Sequence, residues 1–580
     1  MKRASPRKWR LEFVYALLAL CLVGLGVRLY WLQANLGPRA EQMIRRQQVM
    51  TIPTAGRPGL IFLRSGTGNV VLAGSRPIRS VYVDPDLIDE PDLAPTAIRL
   101  GKALGMTEVR VQELIFLRRE RRFAWIKRGV SDQEADAVRA LRLPWAGVTY
   151  EWKREYPNGP LAAAVVGFPP ADPNSPSGMG VELQQRRVLA ATDGRLVQMA
   201  DASRRPLTAV ASECVAPQDG LNVLLCIDAA IQEQLEKTLA ETVEKFSGKW
   251  GSAIVVNPQT GEVLAMCSTP SFNPNDYAHA TPEQYTNKTI TVPFEPGSVA
   301  KPIFAAAAVQ AGVVTYNTMI YCENGVYRAP RGGTISDHGN HYGFLSVHDI
   351  LVHSSNIGMA KVGEKLGNRQ LYEWARRFGL GEKTGIDLPG ESGGILRDLR
   401  KWDGYSLRRV PFGQEVSTTT IQLAMAFSAL VNGGELLRPR VADRIVDGSG
   451  RTVREFPRTV VRRVISRSVS DQTLSAMTDV VERGTGSGGK LSRWTSFGKT
   501  GTAQIPGPGG YSPNAYVASF VGGAPARSPK VLCLISIYWP TRNGYYGGKV
   551  AAPAVKEVLE HALMYLDVPS DRATAVASAD

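Results

Sequence analysis

The sequence predicts an α/β fold in which helices cover both faces of one sheet, preceded by a smaller α+β region and a single transmembrane helix. Three observations support this prediction. An apolar segment, Phe13–Leu32, lies near the N-terminus. From Gly251 onward, a β-hairpin pattern precedes a long helical stretch. Two more strand patterns, Ala515–Gly522 and Val531–Tyr538, occur late in the chain, so part of the sheet forms from residues that follow the helices.

The apolar segment is long enough to span a bilayer, because its one internal charge, Arg28, can extend to the interface. Basic residues precede it, and the positive-inside rule then places residues 1–10 in the cytoplasm and the rest of the chain outside. No clean small-residue cleavage site follows. We therefore expect an uncleaved signal-anchor over residues 11–32 rather than a cleaved signal peptide, in a single-pass protein of the inner membrane whose main part is periplasmic.

Residues 33–225 are expected to form a non-catalytic pedestal domain. The anchor helix should continue through Ala34–Val49, and short strands then alternate with helices such as Asp132–Leu143 and with many Pro and Gly turns. No combination of a nucleophile with a base is apparent in this region.

Residues 226–567 are expected to form the larger domain. An amphipathic helix, Asp228–Phe246, leads into the β-hairpin, and a helix over Ala551–Leu566 closes the domain. We expect residues 568–580 to be a disordered tail.

The composition is that of a globular protein, with 44% hydrophobic and 21% charged residues in 580. The net charge of +15 raises the question of nucleic-acid binding. No nucleic-acid-binding motif accompanies the basic residues, and the anchor exports most of the chain. We therefore expect no nucleic acid among the partners.

The cysteines and histidines do not predict a metal site. None of the six cysteines has a zinc-ligand spacing; Cys214 and Cys226 could form a disulfide, and scattered buried thiols are the alternative. Four histidines lie close in sequence without the carboxylates or cysteines that would complete a site: His338, His341, His348 and His353. We expect neither a metal nor a cofactor.

The strongest chemical signal is Ser298 with Lys301, three residues apart at a predicted loop-to-helix junction. Residues i and i+3 share a helix face, and Pro302 is compatible with a first helical turn. A serine hydroxyl becomes nucleophilic when a base removes its proton, and an uncharged lysine can be that base. The same spacing recurs without a buried-type helix at Ser5–Lys8, Ser487–Lys490 and Ser496–Lys499.

Two further motifs follow in chain order. An S-x-N triplet, Ser354-Ser355-Asn356, lies on the turn between two short helices predicted within Leu345–Gly367. A K-T-G motif, Lys499-Thr500-Gly501-Thr502, belongs to a predicted strand. We reject the second copy, Lys383-Thr384-Gly385, because it follows a helix and opens a proline-containing loop.

These three motifs in this order resemble those of the penicillin-binding proteins and serine β-lactamases. The resemblance to the class B penicillin-binding proteins covers roughly residues 10–567. It includes the hairpin Asn257–Met266, the segment Gly413-Gln414-Glu415 and the segment Tyr546-Gly547-Gly548. The Glu-Pro-Gly sequence before Ser298 favours a division-type, septal transpeptidase over an elongation-type enzyme.

Two positions depart from the family pattern. Arg57–Gly66 corresponds to a pedestal motif but lacks its aspartate, and Cys226 stands where the family usually has threonine. Both lie outside the three motifs.

The resemblance implies a penicillin-binding-protein/serine β-lactamase-like α/β/α transpeptidase domain, and it implies a role for each motif residue. Ser298 would be acylated, Lys301 would be its base, and Ser354 would relay the proton. A neutral lysine at pH 7 costs about 4–5 kcal/mol, which burial and a second cation would reduce. The substrate would be held by Asn356, Lys499, Thr500, Gly501 and Thr502, with the backbone N–H groups of Ser298 and Thr502 as the oxyanion hole.

The implied substrate is the D-alanyl-D-alanine end of a peptidoglycan stem peptide, and β-lactams should acylate the same serine. The family also implies a polytopic glycosyltransferase and other division proteins as partners. Three alternatives stay open: an elongation-type transpeptidase, a carboxypeptidase that uses water as the acceptor, and a catalytically silent β-lactam-binding scaffold or sensor.

Overall fold

The computed structural model describes residues 6–66, 68–119, 123–170, 177–200, 206–330, 333–339, 341–507 and 510–572. The chain divides into two compact units. The first unit takes residues 1–57, 76–153 and 191–219, and the second takes residues 58–75, 154–190 and 220–580. The units therefore interleave in sequence, whereas the division expected from the sequence, 33–225 and 226–567, is linear.

The strands, in chain order, are β1 (Val49–Thr54), β2 (Ile61–Ser65), β3 (Gly68–Val83), β4 (Ala124–Val130), β5 (Ala146–Glu155), β6 (Gly194–Ala200), β7 (Pro206–Val215), β8 (Asn222–Asp228), β9 (Trp250–Val256), β10 (Val263–Thr269), β11 (Met319–Tyr321), β12 (Val326–Ala329), β13 (Gly333–Ser336), β14 (Phe344–Ser346), β15 (Ile395–Leu396), β16 (Val416–Ser417), β17 (Glu435–Leu437), β18 (Ala442–Val446), β19 (Thr452–Glu455), β20 (Val460–Arg463), β21 (Phe497–Gly507), β22 (Gly510–Ala524) and β23 (Val531–Tyr538).

The α-helices, in chain order, are α1 (Pro6–Gln48), α2 (Glu90–Leu104), α3 (Glu108–Phe116), α4 (Asp132–Ala140), α5 (Ala163–Val166), α6 (Gly180–Gln184), α7 (Arg186–Leu189), α8 (Ala229–Phe246), α9 (Pro282–Tyr285), α10 (Lys288–Thr291), α11 (Lys301–Gln310), α12 (Val347–His353), α13 (Asn356–Arg377), α14 (Ser406–Arg409), α15 (Thr420–Val431), α16 (Arg467–Arg483), α17 (Gly547–Val550) and α18 (Ala552–Tyr565).

In the first unit, helix α1 contains the one segment of the described chain with the length and apolar character of a membrane span. This segment, Lys8–Asn35, has 28 residues and a mean hydropathy of 2.0, and none of its apolar window is buried in the protein. A helix that is apolar all round needs an apolar environment. The span expected at residues 11–32 lies within it, and the expected continuation of the helix ends at Gln48.

The rest of the first unit consists of helices packed on strands β3, β4 and β5, and of a separate small sheet. The C-terminal half of β3 pairs with β4, and α2, α3 and α4 surround a core that includes Leu100 and Leu104. Strands β1, β6 and β7 form the three-stranded sheet. Helix α4 ends earlier than the predicted Leu143, because Arg142 adopts a left-handed conformation and Pro144 disfavours a helix at the preceding residue.

The second unit is built on a five-stranded antiparallel sheet with the order β10-β9-β23-β22-β21. Every residue of β9 is buried, and its side chains alternate between two cores: Ile254 and Val256 belong to one, Ala253 and Val255 to the other. A strand that is buried on both faces requires a helical layer on each face.

Helices provide those two layers. Helices α8 and α18 pack on one face of the sheet, while α15 and α16 contact the other face and enclose α11. This arrangement confirms the predicted α/β/α transpeptidase-type domain. Helix α8 begins one residue after the predicted start, because Asp228 is its N-cap and accepts from the N–H groups of Ala230 and Ile231.

The predicted disordered tail is wrong for its first residues. The buried indole of Trp494 donates to the carbonyl of Val568 at 3.1 Å, and Asp571 accepts from the N–H of Thr495 at 2.6 Å. Arg572 donates to the carbonyl of Trp494 at 2.8 Å. A buried indole N–H needs an acceptor, and the tail supplies it. Residues 573–580 lie outside the described residues.

Candidate active site

Ser298 lies on a single 3₁₀ turn, Gly297–Ala300, that leads directly into α11. Its side chain is half-buried and faces a cleft, whereas the helix behind it is buried from Lys301 to Ala308. Alanine side chains allow this helix to pack closely among its neighbours. Pro302 occupies the first turn of α11, where its missing N–H leaves no hydrogen bond unmade.

Lys301 is completely buried, and its amine points at the S-x-N motif. Lys301 Nζ donates to the carbonyl and to Oγ of Ser354, the latter at 3.1 Å, and to Asn356 Oδ1 at 2.8 Å. The side chain of Ser298 makes no hydrogen bond to the residues that the structure describes. No hydrogen bond therefore joins the Ser298 hydroxyl to the Lys301 amine, and the hydroxyl faces the cleft.

Ser354 lies between α12 and α13 in a left-handed backbone conformation, with φ of 58°. This conformation is uncommon for a residue with a side chain. It turns both polar groups of Ser354 towards the lysines: Lys301 donates to its carbonyl, and Lys499 Nζ donates to its Oγ at 2.9 Å. The three predicted motifs therefore meet at one hydroxyl.

Asp337 orients the S-x-N motif, and the sequence did not indicate it. Its carboxylate accepts from the N–H groups of Asn356 at 2.6 Å and Ile357 at 3.1 Å, and from Ser355 Oγ at 2.7 Å. It thereby caps α13 at the point where Asn356 reaches Lys301. Asp337 follows β13, and no local pattern signals a cap that comes from 19 residues upstream.

The K-T-G motif lies on β21, the edge strand of the sheet. Lys499 is fully buried, and Thr500 Oγ1 is 3.0 Å from Thr485 Oγ1. Thr502 Oγ1 accepts from the N–H of Gly547 at 3.0 Å. These contacts attach β21 to two further segments of the cleft, at Thr485 and at Gly547.

Gly501 is required by the nucleophile turn itself. A Cβ at this position would lie 2.6 Å from Val299 Cγ2 and 3.0 Å from the carbonyl oxygen of Pro296. Such distances are far below van der Waals contact. The missing side chain therefore lets β21 approach the turn that carries Ser298, in addition to the close approach of a substrate that the sequence suggested.

Burial changes the protonation of both lysines. Desolvation lowers the pKa of Lys301 to about 7, against the opposing charge of Asp337. Burial, and then the charge of Lys301, hold the pKa of Lys499 well below its usual range. Burial was one of the two causes expected from the sequence to favour the neutral form of Lys301. A neutral amine at Lys301 is thus accessible near neutral pH.

These groups line a cleft of about 560 Å³, here called the active-site cleft. Its lining includes Ser298, Ser354, Asn356, Thr500 and Thr502. Lys301 and Lys499 lie behind this wall, fully buried.

The second K-T-G copy lies apart from this cleft. Lys383 is exposed in a loop, and the hydroxyl and N–H of Thr384 both donate to Glu391 at 2.6 Å. Its rejection is supported, because these groups stabilise a loop and do not line the cleft.

Among the described residues, all six cysteines are free, with Cys214 exposed and Cys226 buried. In the part of the chain that the structure describes, the side chains of Cys226, Glu262 and Asp443 form one group that is close enough to share a cation. None of the four histidines belongs to this group. Arg64 and Arg440 already pair with these carboxylates: their Nη2 atoms are 2.9 Å and 2.8 Å from Glu262 Oε1. Burial also raises the pKa of Cys226 to about 12, which disfavours the thiolate that a metal would bind.

The comparisons with known proteins agree with this geometry. Residues 251–560 match the penicillin-binding protein transpeptidase domain, and residues 59–225 match the penicillin-binding protein dimerisation domain. The chain belongs to the class B penicillin-binding proteins. The family assignment thus covers both the motifs in the cleft and the pedestal region, as expected from the sequence.

Relatives of this penicillin-binding protein extend over its whole length. The probable peptidoglycan D,D-transpeptidase PenA of Neisseria gonorrhoeae is 31% identical over 100% of this chain and 96% of its own. The peptidoglycan D,D-transpeptidase FtsI of Escherichia coli K12 is 30% identical over 99% of this chain and 94% of its own. Penicillin-binding protein 3 of Mycobacterium tuberculosis, solved with aztreonam, superimposes with a TM-score of 0.67 at 25% identity, covering 90% of this chain and 98% of its own.

The segment of this penicillin-binding protein that lacks the aspartate of the pedestal motif, Arg57–Gly66, packs an apolar side chain into the core instead. Leu63 is fully buried in β2, which pairs with β3 and in parallel with β8. The neighbouring Arg64 pairs with Glu262 and with Asp443 at 3.0 Å. An apolar side chain at position 63 therefore contributes to the core of the second unit.

Proposed function

We propose that this protein is a peptidoglycan D,D-transpeptidase that crosslinks stem peptides through an acyl-enzyme on Ser298. One observation carries the proposal: two buried lysines, Lys301 and Lys499, converge on Ser354 Oγ beside a serine that faces the cleft. A buried amine with a lowered pKa next to a half-exposed hydroxyl is the combination that serine acylation requires.

In the proposed acylation, the neutral amine of Lys301 accepts the proton of Ser298 as Oγ attacks the carbonyl of the D-alanyl-D-alanine bond. Ser354, which accepts hydrogen bonds from both amines, passes the proton to the departing nitrogen, and D-alanine leaves. The N–H groups of Ser298 and Thr502 stabilise the tetrahedral oxyanion. Asn356 holds Lys301 and the substrate amide.

The terminal carboxylate of the peptide is proposed to bind at Lys499, Thr500 and Thr502, with Gly501 leaving room for the peptide backbone. An incoming carboxylate favours the charged form of Lys499. A protonated Lys499 in turn favours the neutral form of Lys301, so substrate binding prepares the base. β-Lactams, which carry a carboxylate beside a strained amide, are proposed to acylate the same serine.

We propose that α1 anchors the chain in the inner membrane, with residues 1–10 in the cytoplasm and the second unit in the periplasm. The apolar span and the basic residues before it support this orientation. The proposed domain division is 33–225 for the pedestal and 226–567 for the transpeptidase domain. Proposed partners are a polytopic glycosyltransferase and other division proteins.

A septal role is proposed because FtsI and PenA are relatives over almost the whole chain. Stage V sporulation protein D of Bacillus subtilis is equally 30% identical over 96% of this chain, so identity alone does not separate these roles. Depletion of the protein followed by imaging of cell shape tests the septal proposal. Filaments with blocked septa support it, whereas rounded cells favour the elongation-type alternative.

Labelling with fluorescent penicillin tests the acyl-enzyme. The wild type should be labelled, Ser298→Ala should not, and Ser487→Ala, which alters the serine of an exposed S-x-x-K sequence, should be labelled like the wild type. Equal labelling of Ser298→Ala would remove Ser298 from the mechanism. A stem-peptide donor supplied with and without an acceptor amine then separates transfer from hydrolysis.

A further inference from the structure

His353 lies at the end of α12, one residue before Ser354, and lines the active-site cleft. Its ring is half-buried against the ring of Tyr342, with centroids 5.1 Å apart and planes at 31°. Neither ring nitrogen of His353 has a hydrogen-bond partner among the described residues. Two other histidines of this region are hydrogen-bonded: His348 Nε2 is 2.9 Å from Asp479 Oδ2, and His341 Nδ1 is 2.9 Å from the carbonyl of Asn324. His338 also lines the cleft without a hydrogen-bond partner among the described residues, but it is exposed, whereas His353 is half-buried next to Ser354.

The inference concerns the second half of the reaction, in which an acceptor amine attacks the acyl-enzyme, and it therefore rests on the proposed function. This step requires a base for the acceptor, which acylation does not. An acceptor amine is mostly an ammonium near neutral pH, and an ammonium nitrogen has no lone pair for attack. In this step Lys301 and Ser354 carry one proton of the attacking amine to Ser298 Oγ. The extra proton of the ammonium must therefore leave by another group.

We propose that His353 is the base that deprotonates the acceptor ammonium. The ammonium transfers one proton to the free ring nitrogen of His353 and becomes a neutral amine. The amine nitrogen attacks the carbonyl carbon of the Ser298 ester; the N–C bond forms and the C–Oγ bond breaks. The second proton of the amine passes through Lys301 and Ser354 to Ser298 Oγ, and the imidazolium releases its proton to water in the cleft.

The surroundings of His353 suit this role. An imidazole nitrogen can accept and release a proton, and no carboxylate of the described residues is hydrogen-bonded to this ring. Arg483 also lines the cleft, but its charge is compensated by Asp349 at 2.9 Å and Asp479 at 3.2 Å. The buried Lys301 and Lys499 make a second positive charge in the cleft unfavourable, so an ammonium that enters there is biased to lose its proton.

The choice of acceptor amine provides the test. The full-length protein is given an N-acyl-D-alanyl thioester donor at pH 7.5, with either D-alanine or aminoacetonitrile as the acceptor. The amine of D-alanine is mostly protonated at this pH, whereas that of aminoacetonitrile is already neutral. The measured quantity is the ratio of aminolysis product to hydrolysis product. This ratio reports how the acyl-enzyme divides between attack by the amine and attack by water, and it does not depend on the acylation rate.

For His353→Gln, the ratio with D-alanine should fall about tenfold or more, while the ratio with aminoacetonitrile should stay within twofold of the wild type. His341→Gln, at an exposed histidine outside the cleft, is the control and should change neither ratio. His353→Asn provides a second variant should the first fail to fold, as judged by penicillin labelling.

An equal fall with both acceptors would assign His353 a positioning role and overturn the proposal. An unchanged ratio with D-alanine would overturn it too. Failure of the proposed function gives a different result: the wild type would then form no acyl-enzyme with the thioester donor at all.

Discussion

Lys499 Nζ donates to Ser354 Oγ at 2.9 Å, which joins the K-T-G motif on the edge strand directly to the S-x-N motif between two helices. Lys301 donates to the same oxygen at 3.1 Å. A serine hydroxyl has one proton and two lone pairs, so two amine donors saturate its acceptor capacity and direct its own proton elsewhere. This geometry supports the proposed role of Ser354 as a proton relay rather than a second nucleophile.

The two copies of K-T-G should respond differently to mutation. We expect Lys499→Ala to lower β-lactam acylation by roughly 100-fold or more, because it removes a donor to Ser354 and the proposed carboxylate site. Lys383→Ala should leave acylation within twofold, since Lys383 is exposed on a loop outside the cleft. Stopped-flow acylation rates measure both. The opposite ranking would mean that the wrong copy has been assigned.

Acylation should depend on pH through the amine of Lys301. Burial lowers its pKa to about 7, and the neutral form is the base, so the acylation rate should rise with pH below about 7 and level off above it. The rate of penicillin acylation between pH 5 and 9 measures this. A rate still rising steeply at pH 9, as expected for a lysine with the ordinary pKa of about 10.4, would contradict a buried, neutral base.

Gly501→Ala should damage acylation through the nucleophile turn. The new Cβ would lie 2.6 Å from Val299 Cγ2, so the turn that carries Ser298 must shift. Overpacking of this kind costs about 1–3 kcal/mol, and we expect acylation to fall by at least about tenfold. Gly507→Ala on the same strand is the matched control, since its Cβ would lie 3.8 Å from the nearest atom. Similar rates for the two variants would refute this role for Gly501.

Asp337→Ala should weaken both the fold and the chemistry. It removes the cap of α13 and leaves the hydroxyl of Ser355 without its carboxylate partner, which should cost about 1–3 kcal/mol of unfolding free energy. Acylation should fall with it, because Asn356 loses its anchor beside Lys301. Asp337→Asn keeps an acceptor and should restore most of the stability.

Denaturant unfolding and acylation rates measure the Asp337 variants. The control is Asp398→Ala, which removes an exposed cap from a 3₁₀ turn outside the cleft. If this control lowered acylation as much as Asp337→Ala, loss of a cap anywhere in the unit would explain the effect.

Local patterns were enough to predict several elements of the second unit. Strand β23 has the predicted bounds, and the S-x-N triplet lies on the predicted turn between two helices. Apolar periodicity and helix-capping residues are patterns that span only a few positions, so the sequence alone reveals them. The order of residues 568–572 was not predicted, because it depends on contacts with remote residues such as the indole of Trp494.

The sequence by itself determined which chemical groups this protein has, in which order they occur and on which kind of element each lies. The tertiary structure decided which of them meet: Ser354 reaches Lys301 across 53 positions and Lys499 across 145. It also brought in Asp337, which no local pattern indicates, and it placed the side chain of His353, the residue before the S-x-N motif, on the wall of the cleft. Side-chain chemistry and periodicity are local properties, whereas contacts between distant residues depend on how the sheet and its two helical layers pack together.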